Sequence, residues 1–466
     1  MPDNSSQHTV VIDIGKTHIK LHLLNRDFQS VFSRQMKNSV VNYGDYPGFN
    51  TEVIWQWLMD GIKAVAQEYH IAALTVTTHG ATAALINREN DADGGLVFPI
   101  LDYEFPGVQS DTSDYSALRP NFSEAYSPDL PAGLNLGRQL HWLKQSFPEQ
   151  FSQVTDILMY PQYWVWRFTG QRYSEITSLG CHTDLWSFSR WDYSALVDKL
   201  GLRQLMPPVK PAWHECGQLL PALSQQLGLS ADCRFFNGVH DSNASFLRYR
   251  LTQGDAPFTV ISTGTWTILM ASRTPLDKLN ADKDMLANID VTGQPVACAR
   301  FMGGREFEVI CEQAGSWLGE QFSNQDVAHI IQQSVFALPD FSEGSGPFGG
   351  KKGRFVGDIN QISGIALATL YCALMIDYQL DMLGTQGSVF IEGAFLKNPL
   401  LCELVAQLRT EQPVFLSRDS TGTVQGAACL THWDNAQCEL GLREVHKSTL
   451  SGLTSYRTQW RALAEL

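Results

Sequence analysis

Val11-Ile12-Asp13-Ile14-Gly15-Lys16-Thr17-His18-Ile19 and, far downstream, Val260-Ile261-Ser262-Thr263-Gly264-Thr265-Trp266-Thr267-Ile268 share one pattern. Each is an apolar run, a glycine flanked by hydroxyl-bearing or charged residues, and a return to apolar residues. Four of the nine aligned positions are identical: the valine, the two isoleucines and the glycine. Both segments read as β-hairpins. The backbone N–H groups of such a glycine turn form a concavity that suits phosphate oxygens. A repeat of this kind points to a duplicated domain. Two such hairpins facing each other would clamp the phosphates of a nucleotide from both sides.

Outward from the first hairpin, Ile19, Leu21 and Leu23 alternate with His18, Lys20 and His22, the mark of a half-buried strand. Glu52 to Tyr69 has helical apolar spacing and leads into a strand at Ala72–Thr77. Gln139–Lys144, Gln162–Phe168, Ile365–Leu383 and Pro399–Leu408 read as helices, and the alternation of strands with helices predicts an α/β protein. Asp91 to Asn135, rich in Asp, Pro, Gly and Ser, reads as an irregular insertion or lid. The 466 residues suit two or three domains, and the second hairpin sets the expected division at 1–250 and 251–466.

Composition narrows the partners. With 44% hydrophobic and 18% charged residues, the chain has ample material for a core, which excludes disorder. Lys plus Arg number 34 against 48 Asp plus Glu, a formal charge of −14. No basic patch offsets it, so neither nucleic acid nor an anionic membrane is an expected partner. The nine cysteines are odd in number and include no C-x-x-C pair, which predicts reduced thiols and no zinc site. Met1 to Gln7 lacks the basic and apolar regions of a signal peptide. The run Ile365–Ile376 falls short of the ~20 residues a span requires. A cytoplasmic protein is the expectation.

Asp13-Ile14-Gly15-Lys16-Thr17 resembles the first phosphate motif of the FGGY carbohydrate kinases, within the hexokinase, actin and chaperone-ATPase superfamily. Ser262-Thr263-Gly264-Thr265 resembles the second phosphate motif, and Phe390-Ile391-Glu392-Gly393-Ala394 with Lys397-Asn398-Pro399 the adenosine motif. Asn237-Gly238-Val239-His240-Asp241-Ser242-Asn243 is similar to the segment that holds the family's catalytic aspartate. Order and spacing extend the resemblance over nearly the whole chain, and the rhamnulokinase-like kinases, whose substrates are ketoses, are the subgroup it is most similar to. Three positions depart from the pattern. Lys16 stands where threonine is common, Glu392-Gly393-Ala394 where a double glycine is usual, and Gln139 where a helix signature carries lysine. The resemblance implies two duplicated ribonuclease H-like (actin-like ATPase) domains flanking a central cleft. It also implies transfer of the γ-phosphoryl of MgATP to a hydroxyl of a small sugar, a ketose such as rhamnulose, fuculose or xylulose.

The resemblance gives each site residue an expected role. Asp241 is the general base and a sugar contact, because the attacking hydroxyl needs a carboxylate within hydrogen-bond reach. Its alternative role is to cap the helix that begins there. Asp13 would hold Mg²⁺ through water, since that cation takes oxygen ligands and keeps several waters; a plain turn aspartate is the alternative. Gly15, Lys16, Thr17, Thr263, Gly264, Thr265 and Thr267 are assigned to the phosphates, with the Lys16 ammonium toward the γ-phosphate. Gly303 and Gly304 are assigned to the nucleotide, and Gly393, Ala394 and Asn398 to adenosine. His79, Gly80, Asp102, Tyr103 and Glu104 are assigned to the sugar. ATP and Mg²⁺ are the implied cofactors, and the resemblance is compatible with a homodimer.

Two rival readings come from other classes: an ATP-binding member of the superfamily without sugar chemistry, and an NAD-dependent oxidoreductase. The second rests on Gly344-Ser345-Gly346-Pro347-Phe348-Gly349, a literal G-x-G-x-x-G. That stretch lacks the preceding buried strand, contains Pro347 and runs into Lys351-Lys352, which sets it apart from a dinucleotide fingerprint. No segment has the Walker A spacing.

Overall fold

Strand β1, His8–Ile14, is buried along its whole length, as an unbroken apolar run requires when both faces of a sheet are covered. In the computed structural model the described residues are 7–90, 92–110, 112–342, 344–417 and 421–466. The expected absence of a leader in Met1–Gln7 therefore falls, but for Gln7, outside them. The chain turns at Gly15 into β2 (His18–Leu24), antiparallel to β1 with Asp13 opposite Lys20. β2 pairs with β3 (Ser30–Lys37), whose alternating exposure marks an edge. Asn50 caps α1 (Thr51–Ala66) by accepting from the Val53 N–H, and the chain returns as β4 (Ile71–Thr78), parallel to β1. Helices α2 (Leu136–Ser146) and α3 (Tyr160–Thr169) follow. Then come β5 (Glu215–Gln218), β6 (Arg234–Phe236), β7 (Val239–His240) and α4 (Asp241–Gln253). The sheet order is β5-β6-β4-β1-β2-β3, with β7 also paired to β4.

The second hairpin opens the same arrangement again. β8 (Phe258–Thr263) pairs antiparallel with β9 (Thr267–Ser272), which pairs antiparallel with β10 (Pro295–Phe301). After α5 (Gly303–Gln313) and α6 (Gly364–Leu383), β11 (Ser388–Gly393) runs parallel to β8. α7 (Pro399–Leu408), β12 (Val414–Ser417) and β13 (Leu442–Glu444) complete it. The order β10-β9-β8-β11-β12-β13 repeats that of the first sheet, down to an antiparallel edge strand beside the parallel ones. This is the duplicated ribonuclease H-like arrangement that the paired hairpins imply.

The chain divides into two units, and neither is contiguous. Unit 1 takes Met1–Thr252, Ala287–Gln294 and Thr421–Glu439; unit 2 takes Gln253–Leu286, Pro295–Ser420 and Leu440–Leu466. The break at Thr252 lies close to the expected division after residue 250, and Ala287–Gln294 and Thr421–Glu439 fall with unit 1. The cause is packing: Val424, Ala427 and Ala428 of the helix Gly422–Cys429 share a core cluster with Val11, Val239, Ala244 and Leu247. Gly426 lies so close to the Ala244 carbonyl that a Cβ would sit 1.8 Å from its oxygen.

Two further expectations change. Among the described residues between 91 and 135, short helices and a strand replace the irregular insertion. Phe98, Leu101, Val108 and Tyr115 join a core with Leu136 and Leu140, so that segment is packed and is no lid. The apolar run at 365 extends into the 20-residue helix α6, long and apolar enough by length and composition to cross a membrane; 89% of its most apolar window is buried inside the protein. A helix apolar on all sides is the centre of a core. Residues 344–349 come after the short buried strand Phe336–Leu338 but lead into the strand Arg354–Val356 instead of a helix, and Asp340 holds them by accepting from Gly344 N at 2.6 Å, so the dinucleotide reading falls.

One buried acid in this core gives a pH-dependent stability. Glu306 on α5 is 1% exposed and accepts a hydrogen bond from the Tyr371 hydroxyl of α6. Burial pushes its carboxyl up from the usual 4.5 to about 8. The folded protein keeps the proton that the unfolded chain has released, so folding takes up a proton between these values. The group's favourable contribution is fully present below pH 4.5 and is lost as pH rises through about 8. Glu306→Gln removes the titration. Its unfolding free energy relative to wild type should rise from pH 5 to pH 8.5 by on the order of 2–4 kcal/mol, read by urea midpoints.

Candidate active site

In unit 1 the strand β7 delivers Asp241. β7 lies parallel to β4 with Val239 opposite Thr77 and His240 opposite Thr78. Gly238 (φ +80°) permits this approach, because a Cβ there would lie 2.6 Å from the Val76 carbonyl oxygen. Asp241 is the first residue of α4, so its carboxylate sits at the positive end of the helix. Ser242 N donates to its Oδ1 at 2.6 Å, and His240 Nε2 is 3.3 Å from the same atom. Oδ2 has no hydrogen-bond partner among the described residues, and the side chain is 31% exposed. Burial of its flanks raises its affinity for a proton above the ordinary carboxylate range.

The end of β4 supplies the opposing wall. A Cβ at Gly80 would lie 2.8 Å from His240 Nε2, so this glycine is what lets the two segments meet. His79 packs against Phe49, Tyr103 and Tyr160 at centroid distances of 5.2, 5.4 and 5.2 Å. Its Nδ1 faces the Gly80 carbonyl at 3.1 Å, which places the proton there and leaves Nε2 as a buried acceptor without a partner. Burial lowers His79 and His240 to about 4, so both rings are neutral at pH 7. Asp102, Tyr103 and Glu104 form a turn in which Glu104 N donates to Asp102 Oδ1 at 3.1 Å, and Gly133 N fixes the Tyr103 carbonyl at 2.8 Å. Asp241 and His79 each influence the other's protonation, and Tyr103 senses Asp241, Asp102 and Glu104. The structure thus brings together all six residues assigned to the sugar.

The first hairpin departs from expectation at Lys16. Gly15 N donates to His18 O at 2.9 Å to close the turn, and Asn38 staples it through Gly15 O at 2.8 Å and Thr17 O at 2.9 Å. Thr17 is exposed at the tip. Lys16 does not project with it; its ammonium is paired with Asp102 and lies 3.2 Å from Glu104. Asp13 is buried, and burial pushes its carboxyl up to about 6, with Lys20 at 3.5 Å and Asp241 also acting on it. Lys20 was not expected at the site. Its signal is register: counting outward from Gly15 sets Lys20 across from Asp13 on the same face.

A buried relay supports this wall. Glu175 is fully buried and accepts from Thr177 N at 3.0 Å, Thr177 Oγ1 at 2.5 Å and Ser178 N at 3.3 Å. Thr177 Oγ1 in turn accepts from His240 N at 3.1 Å, fixing the backbone one residue before Asp241. Nothing in the local sequence marks Glu175 or Thr177.

Unit 2 carries the residues that the resemblance assigns to the second phosphate motif and to adenosine. Gly264 N donates to Trp266 O at 2.8 Å, closing a turn one residue shorter than that at Gly15, and Thr265 is exposed at its tip. Gly303 and Gly304 form the first turn of α5, packed on this hairpin. A Cβ at Gly303 would lie 2.3 Å from Thr267 Oγ1, and one at Gly304 would lie 2.4 Å from Gly264 O. Gly393 (φ +90°) presses on β8 in the same way, 2.1 Å from Thr263 O. Thr263 and Thr267 are 5% and 0% exposed. The Thr263 hydroxyl donates to Glu392 O at 2.5 Å and accepts from Phe395 N at 2.9 Å. Both side chains therefore shape the turn, and of these threonines only Thr265 offers its hydroxyl outward. A groove of about 810 Å³ lies beside them, lined by Gly304, Phe307, Leu318, Ala394, Asn398 and Pro399. That volume suits a drug-sized ligand. Asn398 lines it while capping α7, accepting from Leu401 N at 3.1 Å and donating to Thr369 Oγ1 at 2.8 Å. Among the described residues no three His, Cys, Asp or Glu side chains cluster to hold a metal.

A ribonuclease H-like fold repeated in one chain, with a glycine hairpin opening each copy, defines a member of the actin-like ATPase superfamily. Within it, the chain belongs to the FGGY family of carbohydrate kinases. The model of the FGGY family of carbohydrate kinases, N-terminal domain, matches residues 130–247, and that of carbohydrate kinase FGGY, C-terminal domain, matches residues 255–439. The crystal structure of a carbohydrate kinase from Novosphingobium aromaticivorans superposes with a TM-score of 0.89 at 33% identity, over 99% of each chain. L-fuculokinase of Escherichia coli (strain K12) is 24% identical over 277 residues, 58% of this chain and 57% of that protein. Rhamnulokinase of Oceanobacillus iheyensis is 23% identical over 269 residues, 56% of each. The alignments thus span little more than half the length of these curated relatives.

Two substitutions probe the two sets of residues. Thr177→Val removes the acceptor for His240 N inside the protein, and an unmet buried group costs about 1–3 kcal/mol. Turnover should fall roughly 10-fold or more with the KM for MgATP unmoved. Gly304→Ala drives a methyl into the Gly264 carbonyl, and the KM for MgATP should rise at least about 10-fold while that for sugar holds. Steady-state kinetics in both substrates checks each.

Proposed function

We propose that this protein is an ATP-dependent sugar kinase that transfers the γ-phosphoryl of MgATP to a hydroxyl of a small ketose. The observation that carries this reading is Asp241. It heads a helix, one carboxylate oxygen is fixed by Ser242 N, the other is without a partner, and the unpaired His79 Nε2 belongs to the same cluster. A sugar hydroxyl donated to Oδ2 would lose its proton to Asp241 as its oxygen attacks, while His79 accepts from a second hydroxyl and orients the ring or chain. Burial makes this carboxylate a better base than an exposed one, and general-base positioning is worth ~10²–10⁴-fold. The relatives with ketose kinase names support the acceptor class.

The nucleotide is assigned to unit 2, its phosphates at the Gly264–Thr265 turn and its adenosine in the groove lined by Ala394 and Asn398. Phosphoryl transfer depends mainly on positioning and charge stabilisation, which backbone N–H groups at a glycine turn provide. Asp13 fits a hydrated Mg²⁺, which when bound would supply positive charge beside the first glycine turn: its carboxylate is buried there, and among the described residues Lys20 at 3.5 Å is its counter-charge. The same reading places the enzyme in the cytoplasm with small-molecule partners, in keeping with its formal charge of −14.

A panel of ketoses, polyols and aldoses with MgATP, read by coupled ADP release, tests the activity. Asp241→Asn keeps the shape and removes the proton acceptor. Its kcat with the best sugar should fall at least ~10²-fold with the KM for MgATP little changed. Near-normal turnover in this variant would sink the mechanism.

A further inference from the structure

Lys16 sits where the family motif commonly has threonine, and its surroundings are those of the acceptor cluster. Two segments of unit 1 hold its ammonium. Asp102 pairs with it, Glu104 Oε2 is 3.2 Å away, and the rings of Tyr103 and Phe49 lie under it at 4.9 and 5.3 Å. The side chain is only 17% exposed, and that of Asp102 only 9%. An ammonium met by two carboxylates and two aromatic faces is already occupied. His79, the other polar group of this wall, lies within range of its charge.

We infer that Lys16, pinned by Asp102 and Glu104, is a specificity residue of the sugar side, setting it for a neutral polyhydroxylated sugar and against sugar acids. The inference rests on the sugar-kinase reading and goes beyond it by naming what is refused. One positive charge stands here against three carboxylates, those of Asp102, Glu104 and Asp241, while Lys20 is engaged by Asp13. The free lone pairs of these groups and of His79 Nε2 are acceptors, which suit the donating O–H groups of a neutral sugar. An anionic sugar would bring a further negative charge to a place whose two ammonium groups, Lys16 and Lys20, are each already paired with a carboxylate. An unmatched like charge raises the cost of the wrong ligand and so separates related ones. Lys16 also holds Asp102 and Glu104 together, so without it these like charges would repel and the turn would lose its shape.

The test compares wild type, Lys16→Thr and the double variant Asp102→Asn/Glu104→Gln. Each is assayed with the best ketose of the panel, with the aldonate of the same carbon number, and over a range of MgATP. Wild type should prefer the ketose by roughly 100-fold or more in kcat/KM. Lys16→Thr should raise the KM for ketose about 5- to 10-fold and move the KM for MgATP less than about twofold. The double variant frees the ammonium, so its preference for ketose should narrow by about 10-fold or more. A larger change in the KM for MgATP than for ketose in Lys16→Thr would make the lysine a phosphate ligand and overturn the inference. So would equal use of the aldonate by wild type, or an unchanged preference in the double variant. Wild type that phosphorylates neither compound removes the kinase reading itself, and the inference with it.

Discussion

The parallel register of β4 and β7 is the constraint on which the acceptor side depends. It aligns Thr78 with His240, so the next residue of each strand, His79 and Asp241, leaves the sheet at the same edge. Two glycines make the approach possible: Gly238, where a side chain would strike the Val76 carbonyl, and Gly80, where it would strike the His240 ring. What the close approach achieves is electrostatic. Burial raises the proton affinity of Asp241 and lowers that of His79 and His240, because it penalises the charged form of each. The result at neutral pH is a basic carboxylate flanked by uncharged imidazoles. A protonated histidine in either place would stabilise the carboxylate and weaken it as a base. A catalytic carboxylate needs this environment, and the apolar walls of Phe49 and Tyr160 maintain it.

Unit 2 solves a different problem by different means. Charges are few around the Gly264 turn; the organising feature is close backbone packing. Gly303, Gly304 and Gly393 each stand where a Cβ would overlap an atom of the hairpin. Without side chains at Gly303 and Gly304 the start of α5 packs against the turn, where Gly304 N donates to Thr265 O at 3.2 Å, and a helix N-terminus favours anions. The Thr263 hydroxyl then locks β8 to the β11 turn by one donated and one accepted bond. Glycine costs stability through backbone entropy, and here it is concentrated around the Gly264 turn.

The elements were largely legible because their signals are local. Pro399–Leu408 has proline in its first turn, an asparagine cap before it and apolar residues at helical spacing, and its observed bounds are those read from the sequence. The two hairpins are visible from glycine and alternation alone. What escaped depends on contacts between distant residues. Glu175 and Thr177 act on Asp241 through a backbone N–H far along the chain, a link with no pattern of its own. The segment 421–439 returns to unit 1 because Gly426 fits against Ala244, which no boundary signal announces. The Asp, Pro and Gly of residues 92–135 suggested a loop, while the few apolar residues among them built a core with α2.

Lys16 shows where local reading ends. It and Thr265 each follow the glycine of a hairpin turn, Gly15 and Gly264, though the second turn is closed one residue sooner. Turn geometry fixes the direction of the backbone N–H groups in both, but it leaves the direction of a long, flexible side chain open. At Thr265 nothing pulls and the hydroxyl remains outward. At Lys16 two carboxylates and two rings from other segments draw the ammonium away from the turn. The duplicated fold thus supplies a similar hairpin twice, and the neighbours of each copy decide what its tip contacts.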